Sequence, residues 1–146
     1  TVDKPYNVGY IAGVFDLFHI GHLNMFKRAK EQCRYLIVGV VSDEGVRLNK
    51  QAEPFVPFDE RIEMVRSCKY VDEAIKLPLD FCGTRDMFKI YHFDVQFSGS
   101  DYEHDPAWLA EKEFLEKNGS TMVFFPYTQS TSSTKLKKAI ENRINN

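Results

Sequence analysis

Long apolar runs are missing from this sequence, and so is any large excess of one charge. A bilayer-spanning helix takes roughly 20 consecutive apolar residues, and no stretch here approaches that, so membrane insertion is not expected. The first residues lack the basic-then-apolar pattern of a secretory signal. A formal net charge of -2 argues against a general nucleic-acid binder, while leaving room for local cations that hold a small anionic substrate. Cysteine is scarce: Cys33, Cys68 and Cys82 are odd in number and lack metal-ligand spacing, which speaks against a disulfide framework or a zinc site and for a reduced, cytoplasmic protein. Internal repeats and low-complexity linkers are absent too, so residues 1–146 are expected to form a single domain. With 43% hydrophobic residues, a chain of that length buries a real core.

Apolar runs and helical patterns alternate from end to end, which is the signature of parallel strands joined by crossover helices. The expected fold class is therefore α/β, a Rossmann-like, doubly wound, parallel five-stranded sheet with helices on both faces. Strands are read near Val8 to Val14, Tyr35 to Val41, Val71 to Leu77, Val95 to Ser98 and Thr121 to Phe125. The clearest helix runs from Pro106 to Lys117, with Asp105 as cap, Pro106 at its first position and Gly119 after its end. A last helix starts at Thr131-Ser132-Ser133 and carries Leu136, Ala139, Ile140 and Ile144 on one face. In such a sheet the ligand lies beyond the carboxyl ends of the strands, where strand order reverses. The longest stretch without periodicity, Leu48 to Phe58 with Pro54 and Pro57, is expected to be a loop that closes over the substrate.

The segment Gly13-Val14-Phe15-Asp16-Leu17-Phe18-His19-Ile20-Gly21-His22 sits at one of those carboxyl ends. Leu23, Phe26, Ala29 and Cys33 follow at helical spacing, so His19 and His22 lie at a helix N-terminus. Unpaired backbone N–H groups and the positive end of the helix dipole attract anions there, and imidazole donors add to that. Gly21, with no side chain, lets a phosphate come close to the backbone.

In these residues the chain resembles the HxGH nucleotidyltransferase superfamily, and within it the cytidylyltransferases that act on glycerol 3-phosphate, phosphocholine and phosphoethanolamine. Besides His19-Ile20-Gly21-His22 after Phe15-Asp16, four segments fall in family order. They are Val41-Ser42-Asp43-Glu44, Lys50 in the following loop, Lys69-Tyr70-Val71-Asp72-Glu73, and Thr131-Ser132-Ser133-Thr134-Lys135. A bare H-x-G-H is a weak signal, whereas this ordered set covers nearly the whole chain.

The resemblance implies transfer of CMP from CTP to a small phosphorylated alcohol, with pyrophosphate leaving and a magnesium ion sharing the charge. Glycerol 3-phosphate is the first expected acceptor. Phosphocholine, phosphoethanolamine or a phosphonate come next. An ATP-using adenylyltransferase of coenzyme biosynthesis and a nucleotide-binding module without turnover are the alternatives. His19, His22 and Lys50 take the catalytic positions. Val14, Phe15, Gly21, Lys69, Gly99, Asp101, Tyr102, Thr128, Thr131, Ser132, Ser133 and Thr134 take the nucleotide- and phosphate-binding ones. Base recognition falls to backbone groups of Ser98 to Tyr102. Relatives commonly form homodimers, and one is expected here.

Two positions depart from the family pattern. Tyr127 stands where a phosphate-binding arginine is usual, and Lys69 replaces an arginine, keeping the charge but losing the bidentate fork. Lys50, Arg61 or Lys135 are the cations that would compensate. Asp16 has a structural role in the turn set against a metal-related one, and Arg61 a carboxylate pair in the core or dimer interface set against a substrate contact. Phe15, Phe18 and Trp108 read as core packing, and His92 and His104 as bystanders, with His104 close to Asp101.

Overall fold

The computed structural model describes residues 4–50, 53–77, 84–126 and 133–145, the side chains of 49, 50, 101, 133, 134 and 145 excepted. Along the chain these form β1 (Tyr6–Gly13), α1 (Ile20–Gln32), β2 (Cys33–Val41), α2 (Asp43–Lys50), α3 (Phe58–Arg66), β3 (Glu73–Leu77), α4 (Thr84–Tyr91), β4 (Val95–Gly99), a 3-10 turn (Ser100–Tyr102), α5 (Pro106–Lys117), β5 (Thr121–Phe125) and α6 (Ser133–Asn145). The five strands are parallel in the order β3-β2-β1-β4-β5. The chain winds outward from β1 in one direction, then returns to β4 on its other side. The order therefore reverses between β1 and β4, and the crevice for a ligand opens at Gly13 and Gly99.

Alternate strand residues feed two cores, as the pleat requires. Ile11, Leu36, Val38, Val40, Val95 and Phe97 face α1 and α3, which contribute Phe26, Ala29, Ile62 and Val65. Tyr10, Ile37, Leu77 and Met122 face α4 and α5, which contribute Met87 and Leu115. Each fully buried Phe or Leu adds about 2 kcal/mol relative to exposure, so these two layers fix where the strand ends lie.

The elements read from the sequence are present, with shifts at their ends. α5 and β5 have the expected bounds: the Asp105 carboxylate accepts the Ala107 N–H at 2.9 Å, and Gly119 takes a left-handed φ of 84° that suits glycine. Four expectations are corrected. Val14 lies beyond β1, and Val71 and Asp72 precede β3. Cys33 is the first residue of β2 rather than part of α1, because the chain turns extended there and its side chain fills the core under Gly9. Leu48 and Lys50 belong to α2 and Phe58 opens α3, so the expected loop is helical at both ends, and its described non-helical strap is residues 53–57. The last helix is described over Ser133–Asn145, within the expected start; Thr131 and Ser132 lie outside the described residues.

Candidate active site

The turn from β1 to α1 is built around two non-glycine residues with positive φ, Phe15 at 56° and Leu17 at 51°. Such angles are uncommon for bulky residues and persist only where packing holds them. Here the Phe15 ring is buried and meets Phe26 edge-on at 5.3 Å and His22 edge-on at 5.4 Å. Gly13 makes room for it, since a Cβ at that position would stand 2.8 Å from the ring. The sequence thus places a large apolar side chain inside the turn and brings both histidines to the start of α1.

The two histidines cap that helix for each other. The Gly21 N–H donates to His19 Nδ1 at 3.0 Å, and the His19 N–H donates to His22 Nδ1 at 3.2 Å. A ring nitrogen that accepts carries no proton, so in both rings the proton sits on Nε2. Burial, with His19 beside it and Asp16 opposing, pushes the His22 pKa down to about 4. Burial also lowers that of His19. The rings lie 4.1 Å apart at 33°. At neutral pH this is a pair of uncharged donors on an anion-attracting helix start.

Asp16, only 2% exposed, holds the turn to the strap before α3. Its carboxylate accepts the Phe55 and Val56 N–H groups, each at 2.9 Å, and pairs with Lys137 of α6 at 3.0 Å. Burial opposes its ionisation, but the Phe55 N–H, Lys137 and the Val56 N–H outweigh burial and keep its pKa below the ordinary value. These partners favour the turn-holding role over the metal-related one.

Arg61 has its side chain fully buried. Its guanidinium donates to the carbonyls of Val14 (2.7 Å), Val41 (2.8 Å) and Val56 (2.8 Å) and pairs with Asp43 at 2.6 Å. It therefore gathers the carboxyl ends of β1 and β2, the strap and the start of α2. Of its two expected roles, pairing with a carboxylate in the core is the one this structure shows. The Ser42 hydroxyl beside them accepts the Gly45 N–H at 3.1 Å and caps α2.

At the other side of the crevice β4 ends at Gly99 and passes into the 3-10 turn, where the Tyr102 ring stacks on Trp108 at 4.4 Å. Lys50 closes α2 instead of lying in a loop; its side chain, with those of Asp101, Ser133 and Thr134, is outside the described set, as are Tyr127, Thr128, Thr131 and Ser132 entirely. The backbone of Ser133 and Thr134 opens α6. Lys69 is not brought to the histidines. It precedes β3 at the amino end of the sheet, near Asp72, which accepts the Leu36 N–H, and its ammonium lies over the Tyr70 ring. His92 and His104 are exposed. Two cations that carry no motif do reach this end of the fold: Lys137, and Arg28 of α1, which donates to the Pro126 carbonyl at 3.3 Å. Sequence reading missed Lys137; its helical spacing from Ser133 is the signal that could have found it.

A family model described as cytidylyltransferase-like matches residues 10–139. The chain is 37% identical over 139 residues to the FAD synthase of Thermococcus kodakarensis, covering 92% of this chain and 89% of that one. It is 41% identical over 138 residues to the ethanolamine-phosphate cytidylyltransferase of Dictyostelium discoideum, covering 92% of this chain but 38% of that longer one. It is 32% identical over 128 residues to the glycerol-3-phosphate cytidylyltransferase of Bacillus subtilis, covering 88% of this chain and 92% of that one. With the paired histidines at a helix start beside the switch point, these matches place the chain in the cytidylyltransferase-like family, and it is a nucleotidyltransferase.

Proposed function

We propose that the protein transfers CMP from CTP to a small phosphorylated alcohol and releases pyrophosphate. The observation that carries this is the neutral histidine pair, whose two Nε2–H donors stand at the start of α1 in the switch-point crevice. A phosphate oxygen of the acceptor attacks the α-phosphorus. The new P–O bond forms as the bond to the bridging oxygen breaks, and pyrophosphate leaves with that electron pair. The nucleophile is already anionic, so no strong base is needed. The task is to hold two anions in line and to stabilise charge on the phosphoryl oxygens, for which fixed neutral donors and helix starts are suited. His19 and His22 act as those donors. The start of α6, with Ser133 and Thr134, serves the outer phosphates, and Lys50 bridges triphosphate and acceptor. The backbone around Gly99, Asp101 and Tyr102 takes the base.

Magnesium supplies charge neutralisation to such a reaction. Among the described residues no three His, Cys, Asp or Glu side chains are grouped to hold a metal, and Asp16 is engaged by protein donors. This surrounding fits an ion carried mainly by the triphosphate.

For the acceptor, the 41% identity to the ethanolamine-phosphate enzyme now supports phosphoethanolamine alongside glycerol 3-phosphate. A second reading, adenylyl transfer from ATP to a flavin phosphate, has its own support in the match to nearly the full length of an FAD synthase. In either case residues 10–139 supply the nucleotidyl-transfer domain. Pyrophosphate release tests this, with CTP and ATP each crossed against phosphoethanolamine, glycerol 3-phosphate, phosphocholine and FMN. Turnover with CTP and a phosphorylated alcohol supports the first reading; turnover only with ATP and FMN replaces it with the second.

A further inference from the structure

The geometry points to Lys137 as a positioning residue for nucleotidyl transfer, one that acts through Asp16 and touches no substrate. This inference rests on the reading proposed above. The ammonium of Lys137 lies 3.0 Å from Asp16 Oδ2 and 5.6 Å from the centre of the Phe55 ring. Asp16 in turn accepts the N–H groups of Phe55 and Val56. One carboxylate thus joins three segments distant in sequence: the histidine turn, the strap at Phe55 and Val56, and the first turns of α6. Lys137 is one helical turn beyond Ser133 and shares its face. Its neighbour Leu136 lines a cavity of about 310 Å³ with Phe15, Leu17, Phe18 and Val56. Adjacent residues of α6 therefore face the histidine turn, Lys137 through its ion pair and Leu136 across this cavity.

The consequence is geometric. Two helix starts, those of α1 and α6, must hold one triphosphate in line with its acceptor, and an error of about 1 Å in such an arrangement costs on the order of 100-fold in rate. The Lys137–Asp16 pair fixes the distance between them. It also supplies the positive charge that a carboxylate only 2% exposed requires. Loss of Lys137 would remove this positive partner from a carboxylate that His22 already senses, where phosphates are to bind.

The test is a double-mutant cycle with Lys137→Met, Asp16→Asn and both together, plus Lys137→Arg, read by pyrophosphate release, by unfolding midpoint and by amide exchange at Phe55 and Val56. We expect Lys137→Met to lower kcat/KM about 10- to 100-fold, mainly through kcat. We expect Lys137→Arg to recover activity to within about threefold of wild type, and the double variant to be no slower than the worse single one. Exchange at Phe55 and Val56 should speed about tenfold or more in Lys137→Met. Wild-type rates in Lys137→Met, multiplicative losses in the double variant, or an arginine variant as slow as the methionine one would overturn the positioning role. Unchanged exchange at Phe55 and Val56 would overturn it whatever the activity. Absence of turnover in the wild-type protein with every nucleotide and acceptor counts against the nucleotidyl-transfer reading instead, and the exchange measurement still decides the coupling.

Discussion

The backbone N–H of His19 donates to Nδ1 of His22, while Nδ1 of His19 accepts the N–H of Gly21, so the two rings that cap α1 also fix each other's protons on Nε2. Capping thus occupies both Nδ1 atoms and leaves both Nε2–H groups as the donors of the proposed phosphate site.

This relationship sets how stability depends on pH. The folded-state pKa of His22 is about 4 against an ordinary value of 6.5. Between those values the unfolded chain binds a proton that the folded chain does not, so stability is complete above about pH 6.5 and declines as pH falls toward 4. His19 shifts in the same direction. Asp16, lowered from 3.8, contributes stability that is lost only as pH falls below that value. Urea unfolding at pH 7 and pH 5 checks this: the midpoint should drop in the wild type and drop less in His22→Gln.

Replacing the donors should separate activity from folding. We expect His19→Ala and His22→Ala each to lower kcat by about 100- to 1,000-fold, the scale seen when one fixed donor to a developing charge is lost. Loss of the cap should cost about 1 kcal/mol. Kinetics and denaturant melts on the same preparations measure both. Full activity in either variant would remove that histidine from the mechanism.

Arg61 should behave in the opposite way. Arg61→Met leaves the carbonyls of Val14, Val41 and Val56 and the Asp43 carboxylate without their donor. Breaking a buried pair of this kind costs about 3–5 kcal/mol. Lysine should rescue little of it, because one ammonium does not reproduce the planar fork. A denaturant midpoint within error of wild type would contradict the clamp described for this residue.

Tyr127 offers a test that rests on the family resemblance of its segment. We expect Tyr127→Arg, which restores the cation usual at that position in the family, to lower the KM for the nucleotide several-fold without moving the unfolding midpoint. Unchanged kinetics for every substrate would place Tyr127 away from the triphosphate.

Much of this architecture was legible in the sequence because its signals are local. The Asp105-Pro106 start and the glycine at 119 punctuate α5 unambiguously, and the five apolar runs mark the strands. The histidine pair was legible for the same reason: strand, turn and helix start lie within one short segment. α2 was less so, since it is short and Val46 is its one buried large apolar side chain. Arg61 and Asp16 were the hardest. A buried guanidinium is specified by carbonyls from three separate segments, and the Asp16 carboxylate by a strap and a helix remote in the chain, so no spacing rule shows either. Lys69 shows the reverse case, a motif position that the fold carries to the other end of β3.

Nitrogen-15 NMR of the histidine side chains at pH 7, with and without CTP and magnesium, tests most directly whether the capped pair is the phosphate site. We expect both rings of the free protein to be neutral with the proton on Nε2, and both Nε2 resonances to move when the nucleotide binds. Rings that titrate near their ordinary pKa, or resonances that stay in place while CTP is bound, would contradict it.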